Sequence, residues 1–183
     1  MDNLFQDNQF QDEWAAELTA ALFDGDHRIV FAESCTAGLI SASLARIPGV
    51  STVLAGSAVT YQIATKTRWL DVHSDTIHQH DVVSQPVSYE MATGVLAMTP
   101  QATISASVTG HLGPDAPAEL DGIAWTTVCQ RGADGTLSAS RQLQLITRPG
   151  DGLTQRRARQ MDAVRQVLAF TLECLQQPKL LSR

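Results

Sequence analysis

The stretch that decides the fold is RIVFAESCTAGLISASLARIPG, residues 28 to 49. Its first part is short, apolar and β-branched, which predicts a buried strand over residues 29 to 33. Residues 37 to 47 have apolar side chains at helical spacing and stop at a Pro-Gly pair, which predicts a helix. The sequence therefore predicts a strand and a helix joined by a tight polar turn that begins at Glu33.

Helical and extended patterns alternate along the rest of the chain. Helices are predicted over residues 13 to 23, 85 to 98 and 153 to 177, and extended segments over 51 to 61, 102 to 110, 123 to 131 and 137 to 147. The last two extended segments flank a Gly-Ala-Asp-Gly turn, which predicts an antiparallel hairpin. Elements in this order predict an α/β fold, a single three-layer α/β/α domain with a mixed sheet, whose earlier strands are compatible with parallel pairing.

Length and composition limit the class of protein. The 183 residues, 44% of them apolar, fit one domain. We predict this domain over residues 13 to 177, with a flexible polar leader over 1 to 12 and a frayed tail over 178 to 183. The net charge of −6 argues against a nucleic-acid partner. We expect no membrane partner and a cytoplasmic location, because no apolar run approaches about 20 residues and the N-terminus lacks a signal pattern. The three scattered cysteines fit reduced thiols.

The polar turn has two interpretations. In the first, Ser34 or Thr36 only caps the following helix and Gly38 relieves crowding. In the second, the backbone N–H groups of residues 35 to 38 bind an oxyanion or a phosphate, because ligands of open α/β sheets bind at the carboxyl ends of the strands. Taken alone, the turn favours the capping interpretation.

Lys66 is the second notable feature, because the chain has eleven arginines and only one other lysine. It follows Tyr61 by five residues, so a strand that ends near Tyr61 and continues into a helical turn brings both side chains to one rim. A lysine with a lowered pKa can take the proton of a serine hydroxyl, and a phenol can relay that proton or orient the pair. Without further support, a solvated lysine and a strand-end tyrosine are the simpler interpretation.

Four segments carry a resemblance to a known family. They are AESCTAG at 32 to 38, VTYQIATK at 59 to 66, HQHDVVSQPVSYEMATGVL at 78 to 96 and SVTGHLGP at 107 to 114. Their order and spacing resemble the CinA C-terminal domain over residues 13 to 177. That family includes the stand-alone nicotinamide mononucleotide deamidases of the PncC type.

The resemblance implies an amidohydrolase that converts nicotinamide mononucleotide to nicotinate mononucleotide and ammonia without metal or cofactor. It implies a catalytic Ser34 nucleophile assisted by Lys66 and Tyr61. It also implies a homo-oligomer and a small-molecule nucleotide substrate. The substrate-binding residues implied are Glu33, Cys35, Thr36, Ala37, Gly38, Thr109, Gly110 and Arg159.

The chain departs from the family pattern in three places. Ala37 stands where the family usually has a second glycine. Residues 110 to 122 form a loop that is shorter and poorer in glycine than in the family, and the segment that follows lacks the family's lysine. This difference motivates a second hypothesis, in which the chain is a catalytically weak relative that acts as a nucleotide-binding or accessory module. The family's Gly-Asp-Arg becomes GDGLTQRRAR, which leaves Arg156, Arg157 and Arg159 as candidates for the site arginine, and we favour Arg159.

Two other side-chain combinations are also candidate sites. His78 and His80, with His73 and Asp81 nearby, have a ligand spacing on a strand, but the resemblance places them where the family has no metal. Cys35 with His111 offers a cysteine hydrolase, but a reduced, apolar thiol is the commoner explanation of such a cysteine.

Overall fold

The computed structural model describes residues 3 to 147 and 154 to 183, with the backbone alone described for residues 3 to 12. Its helices are α1 (Asn3–Asp24), α2 (Leu39–Leu44), α3 (Ile63–Leu70), α4 (Ser74–His80), α5 (Gln85–Met98) and α6 (Gln155–Gln176), and its strands are β1 (Ile29–Glu33), β2 (Leu54–Val59), β3 (Ile104–Gly110), β4 (Ile123–Gly132) and β5 (Gly135–Gln144). Short 3₁₀ turns lie at Val50–Thr52 and Pro178–Leu180. Within the described residues, no helix combines the length and the apolar character that a membrane span requires.

The five strands form one mixed sheet in the order β2-β1-β3-β4-β5. β1 pairs in parallel with both β2 and β3, whereas β3, β4 and β5 pair antiparallel. The predicted hairpin is β4 and β5, and the predicted mixed sheet is confirmed. The strand order is not apparent in the sequence, because it depends on contacts between distant segments.

Helices cover both faces of the sheet. Ile29 and Phe31 belong to the core beneath α1, α2 and α6, whereas Val30 and Ala32 belong to the core beneath α3 and α5. Successive side chains of a strand point to opposite faces, so a strand buried on both sides reads as the continuous apolar run seen in β1. The three-layer α/β/α prediction is therefore confirmed.

Helix α5 packs unusually close to its neighbours through small residues. A Cβ added at Gly94 would lie 1.9 Å from the carbonyl oxygen of Leu70, so this position requires glycine. From β3, the hydroxyls of Ser105 and Ser107 donate to α5 carbonyl oxygens at 2.7 and 2.6 Å. The helix begins at the predicted cap, Ser84, whose hydroxyl accepts from an amide of the first turn at 3.5 Å.

The connections of the sheet place a crevice at the end of β1. The chain leaves β1 through α2 on one face, and it leaves β2 through α3, α4 and α5 on the other face. The strands on the two sides of β1 are thus reached over opposite faces, and a crevice opens beyond their carboxyl ends. Ser34 is the first residue beyond β1, so it lies at this crevice.

The predicted boundaries differ from the structure at both ends of the domain. Helix α1 begins at Asn3, so it runs through most of the predicted leader, whose first two residues lie outside the described part of the chain. The tail over residues 178 to 183 is not frayed. Leu181 is buried against the core, and the backbone of Ser182 pairs with Ser138 of β5 at 2.7 and 2.9 Å.

Three internal predictions change in detail. Helix α2 is shorter than the predicted 37 to 47, because residues up to Gly38 belong to the turn. Residues 74 to 80 form α4, not the strand on which a metal site would place His78 and His80. The predicted start of the last helix at Leu153 lies outside the described residues, and α6 is described from Gln155.

Candidate active site

Ser34 lies at the start of a tight turn that extends the sheet by one hydrogen bond. Its amide donates to the carbonyl of Val108 in β3 at 3.1 Å, and its own carbonyl accepts from the amide of Ala37 at 3.0 Å. The serine is 8% exposed. Its backbone is therefore held on both sides, while its side chain borders the crevice.

Lys66 reaches this serine from α3. The lysine is fully buried, and its Nζ lies 2.8 Å from Ser34 Oγ and donates to the carbonyl of Thr60 at 2.5 Å. Burial lowers the pKa of Lys66 from 10.5 to about 8, against a smaller opposing effect of Cys35. A lysine with a pKa of about 8 can accept the proton of the serine hydroxyl near neutral pH. A serine nucleophile requires such a base.

The carboxylate of Glu33 is fully buried and holds the turn together. It accepts six hydrogen bonds at 2.8 to 3.0 Å, enough to satisfy both oxygens. The donors are the hydroxyls of Thr36, Ser41 and Ser57 and the amides of Gly38, Ile40 and Ser41. Glu33 and the equally buried Thr36, predicted to contact substrate, instead fix the shape of the turn, because neither carries a free polar side-chain atom at the crevice.

Of the four amides over residues 35 to 38, two are already used inside the turn. The amide of Ala37 donates to the carbonyl of Ser34, and that of Gly38 donates to Glu33. Among the described residues, no backbone or carboxylate acceptor faces the amides of Cys35 and Thr36. Cys35 retains 4% exposure and Thr36 none, which favours the Cys35 amide as a donor to a molecule in the crevice.

The turn requires a left-handed backbone at two successive residues. Gly38 has φ 95°, and Ala37 has φ 54°. This region suits glycine and strains a residue that carries a Cβ by about 1 kcal/mol or more. The exposed Ala37 side chain lies at the surface rather than against the core.

Tyr61 borders the crevice but is bonded to an arginine. Its hydroxyl accepts from Arg156 at 2.5 Å, and the other nitrogen of Arg156 donates to the carbonyl of Gly113 at 2.8 Å. In the part of the chain that the structure describes, this hydroxyl makes no hydrogen bond to Ser34 or Lys66. The phenol thus keeps its own O–H free to donate, while Arg156 joins α6 to both sides of the crevice.

Arg159, which we favoured from sequence as the site arginine, is engaged elsewhere. It is 8% exposed and makes two bonds to Asp121, at 2.6 and 2.8 Å, which lower the pKa of that carboxyl. Arg157 is exposed, with its amide bonded to Thr154. Arg156 is therefore the arginine at the crevice, and Arg159 anchors the loop of residues 110 to 122.

Thr109 and Gly110 lie at the end of β3 next to Ser34, and both are packed against neighbouring residues of the protein. Thr109 is 1% exposed, and its hydroxyl donates to the carbonyl of Val82 at 3.0 Å. A Cβ at Gly110 would lie 2.5 Å from the Cβ of Ala124 in β4. These residues shape the wall next to Ser34, and their predicted contact with substrate stays a prediction.

A comparison with models of known protein families decides the relationship. The model of the CinA C-terminal domain matches residues 11 to 175 of this chain. The chain belongs to the CinA C-terminal domain family.

Curated and solved CinA-family proteins agree with this assignment. A CinA-like protein from Mycobacterium sp. (strain JLS) is 40% identical over 135 residues, which cover 74% of this chain and 31% of the relative. Two crystal structures share the fold. A competence damage-inducible protein A (ComA) from Klebsiella pneumoniae has a TM-score of 0.81 and 27% sequence identity, and the match covers 91% of this chain and 98% of the other. The competence/damage inducible protein CihA from Agrobacterium tumefaciens has a TM-score of 0.79 and 28% sequence identity, and the match covers 92% of this chain and 96% of the other. The chain spans less than a third of the length of the curated relatives it matches.

The structure of this CinA-family chain does not favour a cysteine nucleophile at Cys35 or a metal site at His78 and His80. Burial raises the pKa of Cys35 to about 12, the reverse of what a nucleophilic thiol requires. His78 and His80 lie on helix α4, where residues two apart point to different faces. Among the described residues, no group of three or more histidine, cysteine, aspartate or glutamate side chains is arranged to hold a metal ion.

One residue at this CinA-type site has no signal in the sequence. Gln160 of α6 donates from Nε2 to the carbonyl of Cys35 at 3.1 Å. A glutamine within a long helix is typical of a solvated face. Only the packing of α6 beside the turn brings the amide of Gln160 and the Cys35 carbonyl together.

Proposed function

We propose that this protein is an amidohydrolase that converts nicotinamide mononucleotide and water to nicotinate mononucleotide and ammonia, with Ser34 as nucleophile. The observation that carries the proposal is the 2.8 Å contact between Lys66 Nζ and Ser34 Oγ at a buried lysine whose pKa is lowered to about 8. The choice of substrate rests on the resemblance to the deamidases of the family. The geometry supports serine-dependent amide hydrolysis, and the resemblance to the family is the reason for choosing nicotinamide mononucleotide among possible amide substrates.

The reaction follows from the groups around Ser34. Neutral Lys66 takes the serine proton as Oγ attacks the carboxamide carbon, and the carbonyl oxygen becomes an oxyanion. The Cys35 amide, which makes no hydrogen bond to a backbone carbonyl or a carboxylate in the turn, donates to that oxyanion, a contribution typically of about 3 kcal/mol in the transition state. The Lys66 ammonium then protonates the leaving nitrogen and ammonia departs. A water molecule, deprotonated by Lys66, hydrolyses the acyl-serine and regenerates Ser34.

The substrate phosphate is assigned to Arg156. Its guanidinium is exposed at the crevice and oriented by the Tyr61 hydroxyl and the Gly113 carbonyl. A guanidinium with two nitrogens already aligned suits a phosphate, because the phosphate accepts charge-assisted bonds with little further ordering of the side chain. In this proposal Tyr61 orients Arg156 and donates its own O–H to the substrate.

The loop of residues 110 to 122 favours a second candidate function, a nucleotide-binding or accessory module with weak catalysis. The bidentate bond from Arg159 to Asp121 fixes this loop beside the crevice, where the family pattern has more glycine. A fixed loop is compatible with binding but limits closure over a substrate. The two candidates differ in turnover and not in affinity.

The test is ammonia release from nicotinamide mononucleotide by the purified protein, with Ser34→Ala as control. The amidohydrolase proposal predicts wild-type turnover at least about a thousandfold above the control. Wild-type turnover equal to that of the control contradicts it. In that case, binding of nicotinamide mononucleotide measured by calorimetry on both proteins supports the binding module, and its absence removes both candidates.

The proposal includes a cytoplasmic location and self-association. The cysteines of the described residues, Cys35, Cys129 and Cys174, are free and buried, which fits a reducing compartment. Exposed apolar side chains lie on β2 and α3, and these are Val59, Ile63 and Trp69. Sedimentation of the purified protein measures its oligomeric state, and a concentration-independent monomer contradicts self-association.

A further inference from the structure

Gln160 connects the end of the chain to the turn that carries the nucleophile. It lies one helical turn beyond Arg156, so both side chains project from the same face of α6. Its Nε2 donates to the Cys35 carbonyl at 3.1 Å, across 125 positions of sequence. No other described side chain donates to this carbonyl.

The bond from Gln160 to the Cys35 carbonyl also fixes the N–H of the same peptide unit, because that unit is planar. In a trans peptide the carbonyl and the N–H point in opposite directions, so holding the Cys35 carbonyl sets the direction of the Thr36 N–H. The preceding plane, which carries the Cys35 N–H, is held by the bond from the Ala37 amide to the Ser34 carbonyl. Cys35 is therefore clamped on both sides, once from within the turn and once from α6.

The local bond and the bond from Gln160 act on the same turn. A bond from residue 37 to residue 34 closes a four-residue turn, and such turns exist with the central peptide in either of two orientations. The central peptide here is the one between Cys35 and Thr36, whose carbonyl Gln160 holds. Thr36, the third residue of this turn, lacks the positive φ that the second orientation requires, so the turn and the long-range bond favour the same orientation of the central peptide.

We propose that Gln160 is a positioning residue for the hydrolysis at Ser34. By holding the Cys35 carbonyl from α6 it keeps the Cα of Cys35, and with it the attached N–H, in place beside Ser34, while the bond from the Ala37 amide to the Ser34 carbonyl sets the direction of that N–H. The inference rests on the proposed function in requiring Ser34 as nucleophile, but it does not depend on which amide is the substrate.

The test variant is Gln160→Met, which removes the donor and keeps the length and neutrality of the side chain. The matched control is Gln166→Met on the same helix, because Gln166 also donates to a backbone carbonyl, that of Gln144, at 3.0 Å and away from the site. Gln160→Asn, one methylene too short to reach, is the second variant if Gln160→Met is poorly folded. Circular dichroism first establishes a temperature at which each protein is folded.

The first measurement is labelling of Ser34 by a fluorophosphonate, followed by mass spectrometry. The serine oxygen attacks phosphorus, the phosphorus–fluorine bond breaks, fluoride leaves, and the serine proton passes to Lys66. The phosphoryl oxygen takes the place of the oxyanion. We expect labelling of Gln160→Met to be slower by about 10- to 100-fold, since one displaced oxyanion donor costs part of the effect of its removal.

The second measurement separates positioning from general damage. With a hydrolysed amide, Gln160→Met is expected to lower kcat by about the same factor with KM within about twofold of wild type, because the oxyanion exists only in the transition state. The labelling rate of the variant is expected to keep the wild-type dependence on pH, because Lys66 is untouched. Gln166→Met is expected to match wild type in both measurements.

The outcomes distinguish the two proposals. Equal labelling of wild type and Gln160→Met overturns the inference, as does a variant whose KM alone changes. Slow labelling of the variant without any turnover of nicotinamide mononucleotide by wild type supports the inference and rejects the proposed substrate. A wild-type protein that is not labelled at Ser34 overturns both, because it has no activated serine for Gln160 to serve.

Discussion

Lys66 Nζ lies 2.8 Å from Ser34 Oγ, and the two residues meet across 32 positions of sequence at a lysine without solvent exposure. The same burial that brings the lysine to the serine lowers its pKa to about 8. Fold and chemistry are therefore coupled at this pair, because the packing of α3 under the sheet also sets the pH at which the amine becomes a base.

The dependence of the rate on pH follows from this pKa. Lys66 acts as a base only when neutral, so kcat/KM is expected to rise about tenfold per pH unit below pH 8 and to level off above it. The Cys35 thiol, with its pKa raised to about 12, does not titrate in this range. The profile is measured from pH 6 to 9.5. A rate independent of pH below 8, or one still rising at 9.5, contradicts the assignment of Lys66.

Replacement of the lysine by an apolar side chain separates catalysis from stability. Lys66→Met is expected to lower turnover at least about a thousandfold while the protein stays folded. Because the folded-state pKa is below the unfolded value of 10.5, wild type is expected to gain stability relative to the variant as the pH rises from about 8 to 10.5. Denaturant unfolding at several pH values measures this. The control is Lys179→Met, which replaces the only other lysine, an exposed one, and is expected to leave both properties unchanged.

Glu33→Gln tests the carboxylate that holds the turn. The amide NH₂ of glutamine must face donors that now point at a carboxylate oxygen, so the free energy of unfolding is expected to fall by about 3 kcal/mol. Urea unfolding measures it, with Glu17→Gln on the exposed side of α1 as the control. A change of less than about 0.5 kcal/mol, the usual limit for surface substitutions, would be incompatible with six hydrogen bonds to this carboxylate.

Arg156→Gln tests the proposed phosphate contact. Loss of a charge-assisted bond of about 2 kcal/mol is expected to raise KM for nicotinamide mononucleotide by about 30-fold, with a smaller effect on kcat. The same variant is expected to leave hydrolysis of the dephosphorylated nucleoside nearly unchanged. Arg157→Gln is the control, because that arginine is the exposed neighbour in sequence. An equal loss on both substrates would mean that Arg156 acts on the site and not on the phosphate.

Ala37→Gly removes a strained backbone conformation. With φ 54° at Ala37, glycine is expected to stabilise the fold by about 0.5 to 1 kcal/mol. The opposite sign is expected for Ala16→Gly, an exposed position inside α1, where glycine costs about 1 kcal/mol. Thermal unfolding compares both with wild type. Destabilisation by glycine at both positions would show that the left-handed region carries no strain here.

Local patterns predicted the elements whose physics is local. The β1 strand, the Ser84 cap of α5 and the β4–β5 hairpin follow from β-branched runs, capping residues and turn residues. Helix α4 was missed, because six of its seven residues are polar and none is buried, so it has no apolar period. The docked tail was missed for a related reason, since one buried residue, Leu181, is too little to form a pattern.

The sequence predicted the contact between two residues of the candidate site better than the partners of the charged ones. Ser34 and Lys66 were paired from residue type and from the resemblance, and the structure brings them together. The roles of Glu33 and Arg159 depend on which partner each charge meets, and those partners, the turn amides and Asp121, come from tertiary packing. Residue type alone does not distinguish a charge that faces a ligand from one that faces the protein.

The bond from Gln160 to Cys35 joins the first strand–turn–helix unit to the last helix. A chain that emerges from the ribosome completes this bond only after α6 has been synthesised and has docked. The serine and its lysine are present long before then, but in a turn whose central peptide lacks its bond to α6. Under the proposed function, a nascent or truncated product that lacks α6 is therefore expected to carry Ser34 with lower reactivity than the assembled chain.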